Sequence, residues 1–262
     1  MEKYNYRKDP HQDIDHVFRD LLPAHGMVER PAQVELSHQM LDTMLNGSIA
    51  LCDAGTGIGK TYAYLVAGVV LRRYQSRAGL PNQPLLISTS SIALQGAIIH
   101  DYLPFLSKVM MADGMLDSPL RAVLRKGKSH YVCDARLMKR LQTANLDRKN
   151  PLAKAALLSM RDHLDLDMAP HLSGYDRERI CVPPTCDCGK TECRYLCYLD
   201  VCASERYAIQ VCNHNLLLAD AIHRGSGKRP ILPDSCAIVM DEAHKLTETC
   251  LLYTSPSPRD CS

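Results

Sequence analysis

The sequence predicts an α/β domain on a parallel sheet, interrupted by a small, helical, cysteine-rich insertion. Three observations carry that prediction. A glycine-rich segment at 54–61, Ala-Gly-Thr-Gly-Ile-Gly-Lys-Thr, stands between an apolar run at 49–52, read as a short buried strand, and 62–71, read as a packed helix. A second apolar run at 237–240 ends in Asp241-Glu-Ala-His244. Seven of the 12 cysteines fall from Cys181 to Cys212, and only Cys52 and Cys133 precede them.

The elements follow in chain order. Ile14, Val17, Phe18, Leu21 and Leu22 sit at helical spacing in an otherwise polar amino-terminal segment. After Arg30-Pro-Ala-Gln33, apolar positions 34, 36, 40, 41, 44 and 45 mark another helix, ended by Asn46-Gly47. Residues 72–84 read as a polar connection to a buried strand at 85–87, and 122–124 reads as a further strand. Helical patterns at 135–146 and 152–164 and an irregular stretch around Pro183-Pro184 form the insertion; regularity returns at 207–211. Strands alternating with helices argue for parallel pairing. Residues 253–260 lose all periodicity.

The 262 residues are 46% apolar and 23% charged with a net charge of +2, which excludes the disordered and membrane classes. The charge balance alone does not demand nucleic acid. The amino terminus lacks the apolar core of a signal peptide and the 62–71 run is too short for a bilayer, so a cytoplasmic protein without membrane contact is expected. In that compartment structural disulfides are disfavoured, and clustered cysteines read as metal or cluster ligands.

The chemistry follows from residue types. A loop that holds phosphates aims several backbone N–H groups inward, and glycines permit that curl. Gly55, Gly57 and Gly59 serve it, with Ala54, Thr56 and Ile58 completing the loop; the strict pattern has glycine where Ala54 stands. Lys60 is expected on the β- and γ-phosphates of ATP and the Thr61 hydroxyl on Mg²⁺, at the positive end of the following helix. Asp241, at the carboxyl end of a buried strand, is a second Mg²⁺ residue, and Glu242 is the base that orients the attacking water. Arg30 and Gln33 lie where an amide could pair with an adenine edge. The expected catalytic residues are Lys60, Asp241 and Glu242.

Taken with the cysteines between them, these motifs resemble the iron–sulfur superfamily 2 DNA helicases, which include the bacterial DinG and the XPD-type repair helicases. The likeness covers roughly residues 25–248: the loop as motif I, Ser88-Thr-Ser-Ser91 with Leu94-Gln95 as motif Ia, Lys126-Gly-Lys-Ser-His-Tyr-Val-Cys133 as entry to the cluster domain, Asn213-His-Asn-Leu-Leu-Leu218, and Asp241 to His244 as a DEAH box. The bacterial branch fits better through 126–133 and 213–218. The resemblance implies a RecA-like motor domain, ATP hydrolysis coupled to 5′ to 3′ unwinding in repair or replication, and a monomer acting on single-stranded or forked DNA.

It also implies a [4Fe–4S] cluster held by one early and three late cysteines. Cys133 matches the early ligand and Cys188 with Cys193 a late C-x₄-C step; the remaining ligand lies among Cys181, Cys186, Cys197 and Cys202, with Cys197 preferred. A rival late set is Cys181, Cys186 and Cys193. Four thiolates also suit Zn²⁺, which leaves open another phosphate-loop ATPase with a zinc insertion.

The expected boundaries are 1–132 and 206–250 for the first motor domain, 133–205 for the cluster insertion, and 251–262 for a tail. That tail resembles translated adapter sequence joined to an incomplete gene, with a natural flexible tail as the alternative. DNA contacts are expected from Ser88 to Ser91 and from Lys126, Lys128, Arg136, Lys139 and Arg140. The competing reading is an ATP- and metal-dependent nucleic-acid-binding module without unwinding.

Overall fold

The computed structural model describes residues 9–55, 57–143, 151–186 and 193–247. Thr56, Cys188 and the expected tail at 251–262 lie outside them. The chain divides into two compact units, one running to Arg125 and resuming at Glu205, the other Lys126–Ser204.

The first unit is a four-stranded sheet with helices on both faces. It opens with α1 (Pro10–Asp15), capped by the Asp9 carboxylate, which continues through a π-helical stretch into α2 (Leu22–Ala24). α3 (Pro31–Leu45) starts at a proline, which fixes φ for a first helical turn. α4 (Lys60–Arg77) follows the glycine-rich loop. β1 (Leu85–Thr89), α5 (Ile92–Ala97), α6 (Leu103–Ala112) and β2 (Ala122–Leu124) complete the part before the second unit.

In the second unit α7 (Asp134–Thr143), α8 (Pro151–Ser159), α9 (Gly174–Ile180) and α10 (Arg194–Ala203) are joined by turns. The first unit then resumes with β3 (Ile209–Cys212), α11 (His214–Gly225) and β4 (Ala237–Asp241).

The strand order is β2-β3-β1-β4, every pair parallel, with Leu85 opposite both Ile209 and Ala237. This is the α/β architecture expected. Alternation along β1 splits the core: Leu85 and Ile87 pack with Tyr64, Leu65 and Val69 of α4, while Leu86 packs with Leu216 and Leu217 of α11. α4 approaches β1 so closely that a Cβ at Gly68 would lie 2.4 Å from Leu85 Cδ2. Among the described residues no helix is long and apolar enough to cross a membrane.

Three local expectations are corrected. Residues 49–52 form no strand: Ile49 and Leu51 are 96% and 95% exposed, and β4 pairs only with β1. An apolar run supplies side chains for a strand but not the partner backbone that parallel pairing requires. Residues 72–77 are not a linker; they are the last turns of α4, because Arg72 is a good helix former whose stem is buried. The helix expected over 152–164 ends at Ser159, where the chain turns to bring Leu166 into the core of the second unit.

That core joins Val132, Leu137, Leu157, Met160, Leu166 and Ile180. Its rim is ionic: Lys126 Nζ lies 2.6 Å from Asp165 and 2.7 Å from Asp167, Arg177 also pairs with Asp167, and Arg140 pairs with Asp176 at 2.6 Å.

Candidate functional site

The glycine-rich loop ends at Gly59, the N-cap of α4, which stands in the left-handed region with φ 89°. Gly57 has φ 86°. Side chains are disfavoured there, and a Cβ on Gly59 would lie 2.1 Å from Gln33 Nε2. The reason for that proximity is a hydrogen bond: Gln33, 4% exposed, donates Nε2 to the Gly59 carbonyl at 2.7 Å. Arg30 Nη1 donates to the Gly57 carbonyl at 2.5 Å. The start of α3 thus braces the loop, a contact that was not expected of Gln33. The helix carries both donors under the loop because Pro31 sets its first turn directly behind them.

Lys60 is the first residue of α4, and its Nζ donates to the Ala54 carbonyl at 3.2 Å. The same Nζ lies 3.9 Å from Glu242 Oε1, so the two sequence motifs meet in space. Asp241 closes β4 in register with Thr89 of β1. Its Oδ1 accepts from the Glu242 amide at 3.1 Å, and Glu242 is the only non-glycine residue with positive φ (55°) among the described residues. That left-handed backbone, costly for a side-chain-bearing residue, turns the glutamate carboxylate back over the strand end. Burial raises the Asp241 carboxyl pKa, the Glu242 charge adds to this, and Lys60 opposes it. The Tyr64 phenol is raised by burial and then by Asp241; its hydroxyl faces Thr61 and Asp241 with no partner in hydrogen-bonding geometry.

His214 was expected only as part of the 213–218 motif, and the structure gives it a definite place. It is 2% exposed, with Nδ1 2.7 Å from Ser88 Oγ. Its buried Nε2 faces the Asp241–Glu242 backbone without hydrogen-bonding geometry, and burial lowers its pKa. The signal in the sequence was a histidine one residue beyond a buried strand, preceded by Asn213, which caps α11 through Leu216 N at 2.9 Å.

The expected DNA contacts change character. Ser88 and Thr89 are fully buried, Gln95 Nε2 donates to the Thr89 carbonyl at 2.9 Å, and Ser91 caps α5, leaving Ser90 as the exposed member of that motif. Lys126 is held by its aspartates, Lys128 donates to Pro184 O at 2.6 Å, Arg136 to Cys181 O at 2.7 Å, and Arg140 is paired with Asp176. These four fix the fold of the second unit because its small core leaves loop carbonyls and carboxylates to be satisfied. Lys139 is exposed.

Cys133 and Cys193 are brought together by their neighbours: Arg194, next to Cys193, donates its amide and Nε to the carboxylate of Asp134 at 3.2 and 2.7 Å. Cys133 N also donates to Ile180 O at 2.8 Å, beside Cys181. Cys197 follows Cys193 by one helical turn of α10 and is exposed; Cys202 is buried under Tyr198. Among the described residues no three His, Cys, Asp or Glu side chains form a gathered ligand set. Cys212 and Cys236 belong to the sheet unit, where burial pushes their thiols up to about 12 and about 11.

No family model matches the chain. Its sequence is 26% identical over 250 residues to the ATP-dependent DNA helicase YoaA of Haemophilus influenzae, covering 88% of this chain and 35% of that protein. The ATP-dependent helicase DinG of Mycobacterium tuberculosis is 26% identical over 250 residues, 86% of this chain and 35% of its own length. A Bacillus subtilis protein named 3′-5′ exonuclease DinG is 27% identical over 240 residues, 86% of this chain and 23% of its own length. The chain is thus similar in sequence to the bacterial DinG and YoaA helicases. It spans about a third of the length of the helicases it matches.

In this chain, similar to DinG and YoaA, the glycine-rich loop and the acidic strand end lie together at one edge of one sheet. What its sequence did not announce was the support: Arg30 and Gln33 under the loop, Tyr64 beside Thr61 and Asp241, and His214 bonded to Ser88 of β1 near the acidic pair.

Proposed function

We propose that the chain forms the ATP-binding wall of the first motor domain of an ATP-dependent DNA helicase that acts on single-stranded or forked DNA in repair. The observation that carries this reading is the 3.9 Å approach of Lys60 Nζ to Glu242 Oε1, which joins the glycine loop to the acidic strand end. Backbone N–H groups of Gly55 to Lys60 would cradle the phosphates, and Lys60 would exchange the Ala54 carbonyl for phosphate oxygen. In this reading Glu242 would hold the attacking water, a role that its left-handed backbone and its approach to Lys60 support.

The residues fit a magnesium ion. Thr61 and Asp241 offer two oxygens, the Tyr64 hydroxyl beside them is unmatched, and the raised Asp241 pKa marks a carboxylate short of positive charge. Bound Mg²⁺ neutralises charge developing on the transferred phosphoryl group. In this proposal a second motor domain closes the site.

The second unit, Lys126–Ser204, is proposed as the cluster insertion, with Cys133, Cys188, Cys193 and Cys197 as [4Fe–4S] ligands. The meeting of the Cys133 and Cys193 backbones through Asp134 and Arg194 supports this, as does the exposed thiol of Cys197 one turn along α10. Iron and labile-sulfide analysis on anaerobically prepared protein checks it, and stoichiometric zinc without sulfide overturns it.

The helicase reading is tested by DNA-stimulated ATP hydrolysis of the full reading frame. Lys60→Ala abolishes ATP binding and turnover, while Glu242→Gln abolishes turnover and retains binding. DNA-stimulated turnover surviving in either variant refutes it.

A further inference from the structure

The glycine loop lies at the carboxyl edge of the sheet. At the opposite edge, where β1, β2 and β3 begin, a cavity of about 410 Å³ opens beside the last turns of α4. Along α4, Arg72 lies 12 residues beyond Lys60, a rise of roughly 18 Å. The cavity is of a size that encloses small ligands.

Its walls are strongly basic. Five arginines line it, Arg72, Arg73, Arg77, Arg121 and Arg206, against two carboxylates, Asp117 and Glu205. Arg73 and Arg77 also reach Asp13, at 3.4 and 3.7 Å. Arg121 and Arg206 are exposed and have no ion-pair partner among the described residues. Arg72 is the distinctive member: it is 8% exposed, its Nη2 donates to Asn82 Oδ1 at 2.6 Å, and its Nη1 is buried with no hydrogen-bond partner.

A buried guanidinium with an unmatched donor is costly, because the N–H gives up water and receives nothing in exchange. Buried polar groups in folded proteins are almost always matched, and an exception points to an absent ion or ligand. An anion in the cavity balances the excess of arginines that line it, whose planar forks suit phosphate. Apolar residues such as Val69 and Leu120 share the wall, so an organic group attached to the phosphate has a surface to rest on.

We propose that this cavity is a second anion site, separate from the glycine loop, that takes a small phosphate-bearing molecule between Arg72 on the buried side and Arg121 and Arg206 at the mouth. It stands independently of the helicase reading, because none of its residues belongs to the ATP motifs.

The test is calorimetric titration with pyrophosphate, without Mg²⁺, of the chain carrying Lys60→Ala, which removes the loop cation. The expected result is one saturable site, weakened about 10-fold or more by the double variant Arg121→Ala, Arg206→Ala at unchanged melting temperature. Arg72→Met abolishes binding; the double variant carries the test if Arg72→Met fails to fold. Loss of pyrophosphate binding in Lys60→Ala alone, or equal affinity in the double variant, overturns the site. Displacement by a single-stranded oligonucleotide at much lower concentration overturns the small-molecule assignment in favour of a nucleic-acid backbone.

Discussion

The side-chain amide of Gln33 donates to the Gly59 carbonyl at 2.7 Å, and Gly59 at φ 89° begins the helix that carries Lys60. The loop's shape is therefore fixed by a residue 26 positions earlier, not by its glycines alone. Gly59→Ala places a methyl group 2.1 Å from Gln33 Nε2 in a conformation that disfavours side chains. It is expected to lower stability by about 2 kcal/mol and to remove ATP binding. Gln33→Ala leaves the loop carbonyl unmatched and costs about 1 kcal/mol, with weaker ATP binding. Urea unfolding with fluorescent-nucleotide titration measures both effects; unchanged nucleotide affinity in Gln33→Ala shows the brace to be dispensable.

His214 joins the start of α11 to β1 through its 2.7 Å bond to Ser88. Burial lowers its pKa, so the unfolded chain takes up the proton first as pH falls. Its contribution is fully present above pH of about 6.5 and is lost as pH drops through the lower folded value. His214→Ala is expected to cost about 2–3 kcal/mol at pH 7.5, from the lost buried bond and the space left behind. His214→Asn should flatten the pH dependence of urea midpoints between pH 5 and 7. A slope identical to that of the parent chain contradicts the assignment.

How much was legible differs from element to element. The strands β1 and β4 were visible because each opens with a short apolar run, and α4 because a glycine-rich turn precedes a largely apolar stretch. Residues 49–52 have the same signature yet no pairing partner, since parallel pairing is decided by distant backbone. The meeting of Lys60 with the Asp241–Glu242 strand end was legible because each stands beside an apolar run, and the structure brings Lys60 and Glu242 to 3.9 Å. Gln33 and Arg30 were recognised, but their bonds to the loop carbonyls were not foreseen, because a carbonyl has no sequence signature. The basic residues 126–140 show the same limit: charge is visible in a sequence, whereas the aspartates that absorb it are placed by the fold.

Asp241 is held as a carboxylate against burial and against the neighbouring Glu242 charge, with Lys60 as partial compensation. A raised folded pKa means that ionisation near neutral pH costs stability, as expected where function sets the residue. Asp241→Asn should therefore raise the melting midpoint of the nucleotide-free chain by about 1–3 °C while abolishing Mg²⁺-dependent hydrolysis. Differential scanning calorimetry without Mg²⁺ checks the first effect, and a lower midpoint rules it out.

The second unit has a small core and relies on ion pairs around Asp167, which accepts from Lys126 at 2.7 Å and pairs with Arg177. Burial acts to raise its pKa, but hydrogen bonds and charge from Lys126 and Arg177 outweigh it and hold the carboxyl well below its usual range. A depressed folded pKa contributes stability that is present above the unfolded value of about 4 and is lost as pH falls through the folded one. The carboxylate is partly open to water, so screening limits the effect, and Asp167→Asn is expected to cost only about 0.5–1 kcal/mol at pH 7 and low salt. That difference should shrink in 1 M salt and diminish as pH falls below about 4, where the unfolded chain takes up the proton before the folded one. Protease protection of the second unit, followed against pH and salt, reads it directly. A deficit in Asp167→Asn that persists unchanged at high salt would mean that packing of the side chain, and not its charge, holds this rim together.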